Sequence, residues 1–134
     1  MVDPTLLTLR LNPLLFALFL AFSGFGSAHA DVNGDGKTVL CFVSHKTSHG
    51  FGKHEYAAGC HLIGDWLTEK FPDQKVEARY SINWPENEAE FFKDADTVVF
   101  FCSGGGGHLV NNHVAEFDKV MRTGAGIACL HYAV

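Results

Sequence analysis

The chain has 134 residues, of which 47% are hydrophobic, 13% aromatic and 19% charged, and its formal net charge is −5. That balance is too apolar for a disordered chain and too interrupted for a protein that crosses a membrane many times. Ten Lys and Arg stand against fifteen Asp and Glu. With no basic run to neutralise a phosphate backbone, no nucleic-acid partner is expected.

The apolar excess sits at the front. Arg10 is followed by Leu11-Asn12-Pro13, the apolar run Leu14–Phe22 and a tail of small residues ending Ala28-His29-Ala30. A positive start, a short apolar stretch and Ala at positions −3 and −1 of a cut predict a secretory signal over 1–30. The mature chain then starts at Asp31 and is secreted or periplasmic, with no stable membrane span after cleavage. A retained anchor is the alternative, although the run is short for a bilayer and no Lys/Arg cluster follows it. Residues 31–37 form a polar leader that matches the opening of a calcium loop, D-x-N-x-D-G. Such a loop needs a bidentate Glu at its twelfth position, which here is Phe42, so a simple turn is expected.

From Thr38 to Ser44 the sequence is almost continuously apolar, as in a strand buried on both faces. A polar loop, His45 to Lys53, leads to Tyr56, Cys60, Ile63 and Leu67, whose spacing predicts a helix ending near Lys70. His61, on this helix, is expected to be exposed and uninvolved. Lys75–Tyr80 reads as a second strand. Pro85 opens a short helix with Phe91 and Phe92 inward. Thr97–Cys102 is a third strand, followed by Ser103 and four glycines. Val110, Val114, Phe117 and Met121 mark another helical face, with Asn111 or Asn112 as its cap. Gly124-Ala125-Gly126 turns into a fourth strand, Ile127–His131.

The order β-α-β-α-β-α-β, with doubly buried strands, predicts an α/β parallel sheet, strand order 2-1-3-4, with helices on both faces. Ligands of such sheets bind beyond the carboxyl ends of the strands. The pattern stops at Val134 just after a strand, so we expect residues 38–134 to be the N-terminal part of a longer, truncated domain. The four cysteines, Cys41, Cys60, Cys102 and Cys129, lie in apolar runs or on a buried helical face. They include no CxxC pair and are expected to be buried free thiols.

Five histidines, His45, His49, His54, His108 and His131, fall at the predicted carboxyl edge. Gly104, Gly105, Gly106 and Gly107 there leave backbone N–H groups open to close approach by a ligand, although neither a P-loop nor G-x-G-x-x-G is present. Parallel strands lie about 4.8 Å apart, so His45, His108 and His131 could converge on a divalent metal. Without a metal, a histidine there could act as general acid or base. Cys129 suggests an amidotransferase nucleophile, but such an elbow needs small residues two before and two after it. Ile127 and His131 are bulky, which makes Cys129 a core thiol.

Three blocks in combination, Ser48-His49-Gly50-x-Gly52-x-His54-Glu55-Tyr56 with Gly59-Cys60, Gly104–His108, and Gly124-x-Gly126-Ile127-Ala128-Cys129-Leu130-His131-Tyr132-Ala133-Val134, resemble the ThuA-like (trehalose-utilisation) family. That family belongs to the class I glutamine amidotransferase-like superfamily, and the resemblance spans about Thr38 to Val134. It implies a flavodoxin-like sheet, an association with carbohydrate utilisation, and functional positions at His54 and His131. The expected site binds or processes a small-molecule or carbohydrate ligand and is lined by His45, His49, His54, Ser103, Gly104–Gly107, His108, His131 and Tyr132. Trp84 and Tyr132 are candidates for stacking on a sugar ring, with a core or rim role as the alternative for each. The second reading is a non-catalytic binding or scaffold module without amidotransferase activity.

Overall fold

The computed structural model describes residues 31–134; the expected secretory signal over 1–30 lies outside them. Four parallel strands, β1 (Thr38–Ser44), β2 (Val76–Ile82), β3 (Thr97–Phe101) and β4 (Gly126–Leu130), form one sheet in the order β2-β1-β3-β4. This is the α/β parallel sheet with the expected 2-1-3-4 order. No helix among the described residues is long and apolar enough to cross a membrane.

Alternation along the strands sends side chains to both faces. Val39, Cys41, Val43, Val98, Phe100 and Cys102 pack on one face with Phe92, Ala95, Phe117 and Ala133. Phe42 and Val99, with Leu40 and Phe101, pack on the other against Cys60 and Ile63. The second layer belongs to helix α1 (Tyr56–Lys70). The first belongs to the short helix α2 (Glu88–Phe91) and to α3 (Val114–Met121). At the amino edge the buried carboxylate of Asp96 accepts N–H groups from Val32 and Val39, while its main-chain carbonyl accepts from Gly126. One residue thus ties the leader and strands β1, β3 and β4 together. Within that leader the Asp31 carboxylate accepts the N–H groups of Gly34, Asp35 and Gly36, closing the expected turn.

Several boundaries move for local reasons. Lys75 adopts a left-handed conformation (φ 46°) that closes the 3-10 turn Pro72–Gln74, so β2 starts at Val76. The helix expected at Pro85 begins at Glu88, where the Asn87 side chain accepts the Glu90 N–H. The helical face expected from Val110 to Met121 is split into a 3-10 turn, Leu109–Asn112, and α3. Neither Asn111 nor Asn112 caps α3; His113 holds that position, Asn111 donates to the Gly105 carbonyl, and Val114 points outward.

Two cysteine and histidine expectations also change. Cys41, Cys60 and Cys102 are buried free thiols, but Cys129 is exposed rather than in the core. It lies on edge strand β4 with Ile127, on a stretch of sheet that α3 does not cover. His61 is exposed, yet its ring stacks on Tyr80 at 3.8 Å instead of standing free.

Candidate functional site

The loops after β1, β3 and β4 meet at the carboxyl edge of the sheet. His54 sits just before α1 and is half-buried. Its Nδ1 lies 3.3 Å from both the Ser48 Oγ and the hydroxyl of the buried Tyr56. Around its ring stand His49 at 4.4 Å, His131 at 5.2 Å and Tyr132 at 5.7 Å between centroids. Ser48 also bonds the His49 Nδ1 at 2.8 Å. Three separate segments, 48–56, 103–105 and 131–134, thereby enclose a cleft of about 460 Å³ lined by His49, His54, Tyr56, Ser103, Gly104, Gly105, Tyr132 and Val134.

Burial, and then the charges of His49, His131 and Lys53, hold the His54 pKa below its ordinary 6.5. The imidazole is therefore neutral at pH 7, the form that can accept a proton. Tyr132 is 56% exposed, so a ring face is open to a ligand.

Three of the six non-glycine residues with positive φ among the described residues lie here. His49, His54 and His131 take positive φ values of 63°, 48° and 59°. Each such residue costs about 1–3 kcal/mol and persists only where the surroundings hold it. At the end of β4 the chain turns on His131, with small Cys129 two residues before and Ala133 two after. The strand-end corner that sequence spacing tested at Cys129 is occupied by His131, and Cys129 stays inside the strand. Gly104 locks this corner in place. A Cβ built on it would fall 1.9 Å from the Tyr132 carbonyl oxygen and 2.7 Å from that of Val134, so only glycine lets the two loops touch.

The remaining expected residues form a separate group. His45, Gly106, Gly107 and His108 line a second groove, of about 590 Å³, with Trp84, Glu88 and His113. The His45 Nδ1 accepts the Ser103 N–H and the His108 Nδ1 accepts the Val110 N–H, both at 3.1 Å. Burial lowers both pKa values, with the His45 charge adding to the effect on His108. Each neutral ring therefore carries its hydrogen on Nε2 and presents a donor rather than a metal-binding lone pair. Among the described residues no three His, Cys, Asp or Glu side chains are placed to hold a metal ion. The expected convergence of His45, His108 and His131 does not form, because His131 turns toward His54 while His45 and His108 line the other groove.

Sequence reasoning passed over Ser48 and Tyr56 as site residues although they are the two ends of the Ser48–Tyr56 block; they are the hydrogen-bond partners of His54. It named Trp84 with Tyr132, which lines the other cleft, and did not connect it to Glu88 and His113. Trp84 packs partly against the core, stacks flat on His113 at 4.5 Å and donates its Nε1–H to Glu88 at 2.6 Å. No sequence spacing signals this group, because Trp84 lies in a bend ahead of α2 rather than on a helix. Compared with protein-family models, curated proteins and solved structures, the chain finds no match.

Proposed function

We propose that this is an exported ThuA-like domain of the trehalose-utilisation type that binds or processes a sugar-type small molecule in the His54 cleft. One observation carries the reading: a neutral imidazole, His54, is held between Ser48 and Tyr56 and faces His131 and Tyr132 across a cleft beside Gly104 and Gly105. The exposed Tyr132 ring offers an apolar face for the C–H side of a pyranose, and Ser, Tyr and His groups offer partners for its hydroxyls. His54 is the proton acceptor and His131 the second polar contact. The parallel sheet with its ligand edge at the strand carboxyl ends is the architecture the resemblance implies. Secretion follows from the expected cut before Asp31.

A non-catalytic ligand-binding module is the second reading. It is favoured by the cleft lining, which among the described residues contains no Asp or Glu to orient or charge a catalytic histidine. Exposed Cys129 sits within β4 and away from the corner, which argues against amidotransferase chemistry in either reading.

The test is calorimetric titration of mono- and disaccharides, with and without divalent metal, against the wild type, His54→Ala and His131→Ala. Both variants should unfold near the wild-type temperature and lose binding. Turnover that rises as His54 deprotonates identifies an enzyme, whereas binding without turnover identifies the module. Equal binding by all three proteins refutes a site at His54.

A further inference from the structure

The groove on the far side of the tetraglycine is larger than the His54 cleft, about 590 Å³ against about 460 Å³. Its walls are fixed. Trp84 is pinned between its bond to Glu88 and the flat stack on His113, and His45 and His108 are each held by a main-chain N–H. The two held imidazoles are Nε2–H donors, Glu88 is an acceptor and Asn112 is both.

Charge narrows the ligand class. Glu86 and Glu88 line this groove and no Lys or Arg does, so a phosphate or carboxylate would meet like charge with no cation to offset it. An uncharged polyhydroxyl compound matches the mixture of donors and acceptors. The groove also shares a wall with the His54 cleft: Gly104 and Gly105 line one, Gly106 and Gly107 the other. Nothing lies within 4 Å of a Cβ built on Gly105 or Gly106, so on that side the ridge between the clefts faces open space, while its Gly105 carbonyl is bonded by Asn111.

We propose that the two clefts are subsites of one track, and that the ligand is an uncharged oligosaccharide of at least two sugar units. One unit sits at His54 and the next lies across the tetraglycine against Trp84, His45 and His108. This rests on the carbohydrate reading of the His54 cleft.

The experiment is NMR titration of the full chain with glucose, trehalose, cellobiose, maltose and maltotriose, and with glucose 6-phosphate and glucuronate as anionic controls. The probes are the His54 and His131 ring C–H signals for one cleft and the Trp84 indole N–H and His108 ring for the other. The half-exposed Trp66 indole is the reference. A neutral di- or trisaccharide should move both sets and bind at least tenfold tighter than glucose, which should move the His54 set alone. Gly106→Val, at a position with free space and no positive φ, should erase the chain-length gain and keep the glucose response. If sugars move His54 and His131 but never Trp84 or His108, or if the anionic sugars bind the groove more tightly, the track is overturned and the His54 site stands. If no sugar moves either set, the carbohydrate reading falls and takes the track with it.

Discussion

The four consecutive glycines support a graded test of the architecture, because the chain places each in a different setting. At Gly104 an added methyl meets the carbonyl oxygens of Tyr132 and Val134 at 1.9 and 2.7 Å. Both obstacles are main chain, so no rotamer change relieves them. The 132–134 turn cannot swing away cheaply, since Ala133 is fully buried and its N–H bonds the Leu130 carbonyl. Gly104→Ala should therefore lie at the upper end of overpacking costs, about 3 kcal/mol. Gly105 has open space but φ +56°, so alanine there costs about 1 kcal/mol for the left-handed backbone. Gly106 has neither a close neighbour nor a positive φ, and alanine should be neutral or stabilise by about 0.5 kcal/mol through the unfolded chain. For a domain of this size each kcal/mol moves the unfolding midpoint by about 4–8 °C. Thermal and urea unfolding should thus rank Gly104→Ala lowest by about 12–24 °C, Gly105→Ala intermediate and Gly106→Ala at or above wild type. A Gly104→Ala protein within about 1 kcal/mol of wild type, or a Gly106→Ala protein as damaged as Gly104→Ala, would refute the close packing of the two loops.

Thiol chemistry and acid stability give two further checks. In the folded protein Cys129 alone should react rapidly with a thiol reagent, because it is exposed, whereas burial raises the pKa of Cys41 to about 12 and of Cys60 to about 11 and also raises that of Cys102. All four should react in denaturant, and fast labelling of more than one in native buffer contradicts the buried positions. Burial holds His45, His54 and His108 below the ordinary 6.5, so on acidification the unfolded chain takes up protons before the folded one. Stability should accordingly fall as pH drops from about 7.5 to below 6.5 and level off beneath the depressed folded values. Glu77, held low by its bond to Arg79, loses its contribution in the same direction but in a more acid window, as pH falls through its own folded value. Midpoints measured at pH 7.5, 6 and 5 decide this: an unchanged or rising midpoint is the contrary result, and His108→Asn should flatten the slope.

The architecture was legible in the sequence because its causes are local or pairwise. Short, nearly continuous apolar runs rich in Val and Phe, such as Thr38–Ser44 and Thr97–Phe101, read as strands covered on both faces. Their alternation with helical periodicities leaves a right-handed parallel sheet as the simple solution. The same logic placed the histidines and the tetraglycine at one edge. Which of them share a cleft was a different matter, since it depends on register and on the direction in which each loop leaves its strand. His131 belongs with His54 because the chain corners there at φ 59° and Gly104 admits the Tyr132 carbonyl. His45 and His108 belong with Trp84 because main-chain N–H groups claim their Nδ1 atoms in another direction. Cys129 is exposed because β4 is an edge strand and the sheet face it shares with Phe100 is left uncovered there, although its apolar neighbours match those of a core position. Composition and period determine what a segment becomes; the sign of one backbone angle and the free side of one strand exist only once the chain has closed on itself.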